Sequence, residues 1–407
     1  LLIFFFPILV GTFFQQLYNT VDAVIVGQFA GKEALSSVGG SSSQIINFVV
    51  GFFTGLSAGA TVIISQFYGA NDANKIHRAL HTAYAFSIVG GIIAGIIGIA
   101  LTVPVMKLMN TPVELMHDSA MYVMIYFGGL VFIFVYNMGS AILRAIGDSK
   151  RPLYYLIICC FINIVLDIVF VSVLKLGVLG VAVATFISQL VSAVLVTRAL
   201  MYHTEGMKLV LKEIRLHGDV LPAMLKIGLP TGIQSSMYSA SNIIVQSALN
   251  GFGVDTVAAW SAFGKIDSMY WMINTAFGIA AALLFSTLVL TFGQYMLRIF
   301  TSEAEVIRLG VRVMRVISPA YFIFAFIELL SGSLRAQGHV LVTTIMTMLG
   351  VCAFRVVWVL FIVPQGKLEQ IVFCYPATWT ITAVGMIIYY IYKQRSIIKK
   401  YKNTLPA

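Results

Sequence analysis

The 407 residues are 59% hydrophobic and only 10% charged, with a mean hydropathy of +0.93, against about 45–50% apolar and about 25% charged residues in soluble domains. That excludes an ordinary soluble protein, and the lack of two-residue alternation in the apolar runs disfavours a β-barrel. A formal charge of +10 would suggest nucleic acid if it formed a compact patch, but Lys and Arg lie mainly between the apolar runs, which reads as membrane topology without a nucleic-acid partner.

The chain opens on the apolar run Leu1 to Phe6 with neither an initiator Met nor a cleavable signal pattern, so its N-terminus is expected to lie further upstream. Apolar runs broken by Gly, Pro, Asn or charge predict spans near 7–29, 42–66, 81–103, 119–143, 152–173 and 178–199. A polar linker over 201–225 follows, with Lys208, Lys212, Glu213, Arg215 and Asp219 among spaced leucines, the pattern of an amphipathic helix on the membrane surface. Further spans are predicted near 226–249, 257–279, 280–297, 312–335, 341–363 and 369–392, before a basic tail over 393–407. Typical runs are long enough to cross ~30 Å of hydrocarbon as helices. Cys159, Cys160, Cys352 and Cys374 all sit inside such runs, without metal-ligand or disulfide spacing, as small core residues do.

The two halves repeat each other. Leu143-Arg144-Ala145-Ile146-Gly147 recurs as Leu334-Arg335-Ala336-Gln337-Gly338, an offset of 191, whereas Gly31-Lys32-Glu33 matches Gly253-Val254-Asp255 at an offset of 222. The second half is therefore about 31 residues shorter, and the shortfall falls near residue 280, where nothing corresponds to the stretch 61–91 with its polar hinge Tyr68 to Asp72. Counting Lys and Arg in the loops puts both termini in the cytoplasm; Arg298, Arg308, Arg312 and Arg315 are the exception, on the predicted outer side. The expected protein is thus all-α, with twelve transmembrane helices in two pseudo-symmetric lobes of six, 1–200 and 226–392, and a central cavity between them.

Asp22 and Asp167 are the most informative residues, because a carboxylate inside the membrane is costly and by default functional. Each lies 15 residues past the cytoplasmic start of its span, about 22 Å deep at ~1.5 Å per residue, and Thr185 reaches a similar depth from the opposite direction. Tyr18 and Asn19 precede Asp22 by one turn and Asn163 precedes Asp167 by one, so all share a face with their carboxylate. Oxygen donors suit a hard cation, and the same carboxylates can carry protons; the plainer alternative is that they only brace helices. Neither has a Lys or Arg partner within the hydrocarbon spans of its own lobe. Two such carboxylates cannot both stay ionised and dry, which makes the first lobe the expected coupling site for H⁺ or Na⁺.

The second lobe offers Lys265 and Arg355 against Asp267 and Glu328, a set that neutralises itself; a buried ion pair fixing the packing is the expected role, with substrate contact or a second coupling site as the alternative. Met269-Tyr270-Trp271-Met272 could line an adaptable apolar cavity, so Trp271 and Met272 join the candidate substrate residues. His77 and His81 stand four apart on one helical face, but Arg78 replaces the Glu of a zinc protease, and a solvated pair is expected.

The run Gln15-Gln16-Leu17-Tyr18-Asn19-Thr20-Val21-Asp22 resembles the first helix of the multidrug and toxic-compound extrusion family. Asn163-Ile164-Val165-Leu166-Asp167, with Gly177 to Thr185, resembles the fifth and sixth helices of its DinF-like bacterial branch. The resemblance covers nearly the whole chain. It implies twelve helices in two lobes forming a V-shaped cavity, and Na⁺ or proton binding at Asp22, Asn163, Asp167 and Thr185. It also implies a monomer in the inner membrane, without a cofactor, exporting organic cationic or amphipathic compounds by alternating access. A flippase for a lipid-linked sugar and, further off, a membrane-embedded enzyme are the competing expectations.

Overall fold

The computed structural model describes residues 10 to 402, apart from 12, 15, 16, 18, 19, 203–207, 278, 337–339 and 363–366. Every regular element among the described residues is helical, as a chain must be whose backbone polar groups find no water in hydrocarbon. Helix α1 covers 20–25 and widens into a π-turn at Val26–Ala30. The first half continues with α2 (Gly31–Gly39), α3 (Ser41–Gly69), α4 (Ala73–Leu108), α5 (Val113–Gly128), α6 (Leu130–Ala145), α7 (Lys150–Asp167, then a π-turn at Ile168–Val173) and α8 (Gly177–Met201). The second half holds α9 (Leu221–Asn250), α10 (Val254–Phe277), α11 (Ile279–Arg298), α12 (Ala304–Ile317), α13 (Tyr321–Ala336), α14 (Val340–Thr347), α15 (Phe354–Val357), α16 (Leu368–Val372) and α17 (Cys374–Lys402). Short π-turns at Met348–Ala353 and Trp358–Ile362 flank α15.

Among the described residues, seven helical segments are long and apolar enough to cross a membrane, and α5 with α6, bent by 50°, makes an eighth. The remaining four predicted spans are α1, which begins outside the described residues, α9, rich in Ser and Thr, α10, which carries Lys265 and Asp267, and α11, which is short. With these, each half has its six crossing elements. The junction near 280 falls beside Gly278, outside the described residues.

Local chemistry sets the turns. Asn71 ends α3 in the left-handed region (φ 56°), which an amide side chain tolerates. Asp72 then caps α4 by accepting the Lys75 N–H at 3.0 Å.

By packing, the chain forms two compact units, Leu1–Lys265 with Ile299–Glu303, and Ile266–Arg298 with Ala304–Ala407. Helix α9 and the first half of α10 belong by repeat to the second six-helix set, yet they pack within the first unit. The cause is an antiparallel crossing with α3 that side chains hardly separate. Gly55 and Gly59 on α3, Gly228 and Gly232 on α9 all face the partner backbone: a Cβ on Gly59 would stand 2.3 Å from the Met224 carbonyl oxygen, and one on Gly232 2.8 Å from that of Phe52. Two small-x-x-x-small stripes meeting this way let helices approach closely where hydrophobic driving force is absent. Ser239 Oγ donates to the Asn47 carbonyl at 3.3 Å and Asn250 Nδ2 to Ser41 Oγ at 2.9 Å, so the contact runs the length of both helices.

The linker departs from the expected amphipathic helix. From 208 it runs irregularly through one 3₁₀ turn, Leu211–Glu213, to the start of α9. Its apolar residues divide: Leu209 and Val220 are buried in the first unit's core with Ile64, Leu80, Ile142 and Leu200, while Leu211 and Leu216 are exposed, and several of its polar groups are bonded to α4, as described below. In the second unit Tyr270 stacks on Tyr321 with centroids 3.8 Å apart, and Trp271, Phe324 and Trp379 pack edge-on around them.

Candidate cation site

Asp22 lies one turn before the π-turn of α1, and Asp167 is the last α-helical residue before the π-turn of α7. Such widened turns are rare and recur at functional sites. The two π-turns pack on each other and both pack on α8. The side chains of Asp22 and Asp167 thereby come within hydrogen-bonding reach of each other, and they are 6% and 0% exposed. An ionised carboxylate only accepts hydrogen bonds, so a proton, a cation or water between the two groups would relieve this approach.

The surroundings point the same way. Among the described residues, no N–H or O–H donates to Asp22 Oδ1, to either Asp167 oxygen, to Asn163 Oδ1 or to Thr185 Oγ1, and Asn163 Nδ2 has no acceptor. All four residues are buried. Buried polar atoms are ordinarily satisfied; a set of orphaned oxygens on α1, α7 and α8 fits a hard cation or a proton carried as cargo. The expected companions Tyr18 and Asn19 lie outside the described residues.

One expectation changes. The carboxylates do not stand without a basic neighbour: Lys265 is within Coulombic reach of Asp22. The first turns of α10 pack against α2, where a Cβ on Gly39 would stand 2.6 Å from Ser261 Cβ and one on Gly40 2.6 Å from Val257 Cγ1. Lys265 is one turn beyond Ser261. Sequence reasoning saw the residue but assigned it to the second lobe's own charge set, because the packing of α10 on the first unit is invisible in a repeat.

The second set is also rearranged. Asp267 accepts from Trp271 Nε1 at 2.8 Å and from the Tyr321 hydroxyl at 2.5 Å. Arg355 is buried and lies over the Tyr375 ring at 4.1 Å, with an electrostatic influence on Asp267. Glu328, expected in a buried ion pair, lies in the Ala304–Ser331 span with its side chain exposed on the surface of the protein. The Met272 side chain lies outside the described residues. Lys32, at the start of α2, pairs with Asp255 at 2.9 Å.

The histidines are not a solvated pair, since His81 is fully buried. With Glu213 they bring three donor atoms within 4.8 Å of one another, but the donors are already engaged: His81 Nε2 accepts from Val210 N–H at 3.0 Å and His77 Nε2 lies 3.2 Å from Glu213 Oε2. A zinc site therefore has no unsatisfied group to explain.

A model of the MatE family matches residues 7–169 and 274–360. The "Probable multidrug resistance protein YoeA" of Bacillus subtilis is 25% identical over 438 residues, covering 98% of this chain and 94% of its own length. That alignment is 31 positions longer than the 407 residues of this chain. "Multidrug export protein MepA" of Staphylococcus aureus is 20% identical over 85% of the chain and 83% of its own length. Among solved structures, one titled an inward-facing conformation of a multidrug resistance MATE family transporter superposes with a TM-score of 0.82 at 19% identity, covering 96% of both chains. One titled the outward-facing conformation gives 0.73 at 18%, covering 96% of this chain and 94% of that one.

Proposed function

We propose that this chain, which belongs to the MatE family of membrane transporters, exports small organic compounds, cationic or amphipathic, in exchange for H⁺ or Na⁺. The setting we infer is the inner membrane of a bacterium, with both termini in the cytoplasm. The observation that carries this reading is the buried approach of Asp22 to Asp167 among orphaned oxygens of Asn163 and Thr185.

The chemistry follows from charge. A proton shared by the two carboxylates, or a Na⁺ held by them with Asn163 Oδ1 and Thr185 Oγ1, relieves the repulsion that would otherwise drive α1 and α7 apart or draw in water. Loaded and empty sites thus favour different packings of α1, α7 and α8, and a cation that binds one packing better shifts the equilibrium between them. Alternating access then needs only that the substrate prefer the other packing. A proton and Na⁺ compete for one pair of oxygens, so each should inhibit loading by the other.

The test is transport by proteoliposomes under separately imposed pH and Na⁺ gradients, across cationic and zwitterionic compounds, with Asp22→Asn and Asp167→Asn. The amide keeps size and hydrogen bonding, so both variants should fold and still bind substrate while losing gradient-driven export. Export at the wild-type rate by both variants would sink this reading.

A further inference from the structure

The strongest unexplained construction lies far from the carboxylates, where the linker meets the start of α4. Five contacts join them. Arg78 Nη2 pairs with Asp219 at 2.7 Å; His77 Nε2 faces Glu213 at 3.2 Å; His81 Nε2 lies 3.0 Å from Val210 N. Thr82 Oγ1 lies 3.0 Å from His217 Nδ1 and accepts the His217 backbone N–H at 3.2 Å.

The hydrogen bonds fix the protonation of two rings. A backbone N–H can only donate, so His81 Nε2 is an acceptor, and its Nδ1 carries the proton that goes to the His77 carbonyl at 2.7 Å. Arg215 Nε likewise donates to His217 Nε2 at 3.2 Å, which leaves His217 Nδ1–H to donate to Thr82. Both rings are neutral in the docked linker. A second proton on either replaces an accepted hydrogen bond by two donors pointing at each other.

We propose that residues 208–220 are an acid-released latch, held on α4 by neutral His81 and His217 and let go when these rings are protonated. The charges around them agree. His217 faces Arg215, Arg78, Asp219 and His81, and His77 faces His81, Glu213 and His217. Burial and then the guanidiniums of Arg215 and Arg78 hold His217 below the ordinary histidine range, against a weaker opposing pull from Asp219. For a base whose docked form titrates lower than its free form, the docking contribution is complete above the free value of about 6.5 and is lost as pH falls through that window. Glu213 pulls His77 the other way, but burial and the nearby His81 outweigh it and hold His77 too below the ordinary histidine range, so the docked form favours its neutral ring as well.

The latch matters because the linker leads directly into α9, whose first turns lie on the glycine face of α3. Undocking frees the entry to that crossing without touching the carboxylates, and it is independent of which ion the transporter uses.

The test is hydrogen–deuterium exchange of the full chain in lipid nanodiscs at pH 7.5 and 5.5, with labelling times scaled for intrinsic exchange. Peptides spanning 208–220 should lose protection by about tenfold at the lower pH, while the middle of α4 stays unchanged. The double variant His81→Gln with His217→Asn keeps an acceptor for Val210 and a donor for Thr82 but cannot charge at those two positions, so its linker should lose most of the pH response and keep only the share that His77 supplies. Thr82→Val should release the His217 segment already at pH 7.5. Equal protection of the wild-type linker at both pH values, a full pH response in the double variant, or a linker undisturbed by Thr82→Val would each overturn the latch.

Discussion

Gly55 and Gly232 meet backbone to backbone: a Cβ built on Gly55 would stand 2.4 Å from both Cα and N of Gly232. No rotamer relieves such an overlap, because the obstacle is main chain. Gly55→Ala should therefore push α3 and α9 apart at the centre of their contact and lower stability by about 1–3 kcal/mol, the usual cost of overpacking. Gly51, one turn earlier, supplies the control. Its added Cβ would lie 3.7 Å from Ser235 Cβ, ordinary contact, so Gly51→Ala should be neutral or slightly stabilising through helix propensity. Thermal unfolding of both variants in detergent decides it, and equal melting temperatures would show that the crossing tolerates a side chain.

Lys265 is expected to set the cation affinity of the carboxylate pair. A positive charge within reach of Asp22 competes electrostatically with any cation entering there. Lys265→Met should tighten cation loading by roughly tenfold, the scale of one partly screened charge, and slow turnover because the cation leaves less readily. The Na⁺ and pH dependence of export reads both effects. Lys265→Arg should stay near wild type.

Asn163 and Thr185 supply neutral oxygens, so their removal should weaken loading without abolishing it. Asn163→Ala and Thr185→Ala are each expected to cost about 1–3 kcal/mol of cation binding, against loss of coupling for either Asp→Asn change. Export measured across a range of driving cation should show a raised half-saturation with a preserved maximum.

Arg355 is expected to act through packing. Its guanidinium carbon lies 4.1 Å from the Tyr375 ring centroid in a buried setting, and removing it takes away a positive charge that acts on Asp267. Arg355→Ala should lose about 3–5 kcal/mol of stability, visible as reduced yield of folded protein before any change in substrate range. A stable, abundant Arg355→Ala protein with altered selectivity would move Arg355 into the substrate path.

The helical spans were legible in the sequence because hydropathy over twenty residues is a strong signal. Asp22 and Asp167 were legible because carboxylates are rare at that depth. What was not legible is partnership. Gly55 with Gly59 and Gly228 with Gly232 have a visible four-residue spacing, which could have flagged each as a helix-packing face, but nothing in either stripe names the other as its partner. Lys265 lies 243 positions from Asp22, and only the docking of α10 on α2 brings it there. His217 and Thr82 carry no motif at all; their meeting depends on an irregular linker whose spaced leucines suggested a surface helix.

The π-turns after Asp22 and Asp167 have a consequence for how a small ion can be felt at a distance. A π-turn holds one residue more than the α-helical turn it interrupts, and so behaves as a dislocation in the helix. Moving it by one position turns the residue it passes by about 100°, the α-helical step, while the helix ends stay where they are. A similar widened turn recurs at Trp358–Ile362, the repeat counterpart of Ile168–Val173, but there Trp358 stands where the first half has Asp167. Both halves carry the loose turn, but the first approaches it with a carboxylate that can take up a proton or cation, and the second with the fixed positive charge of Arg355.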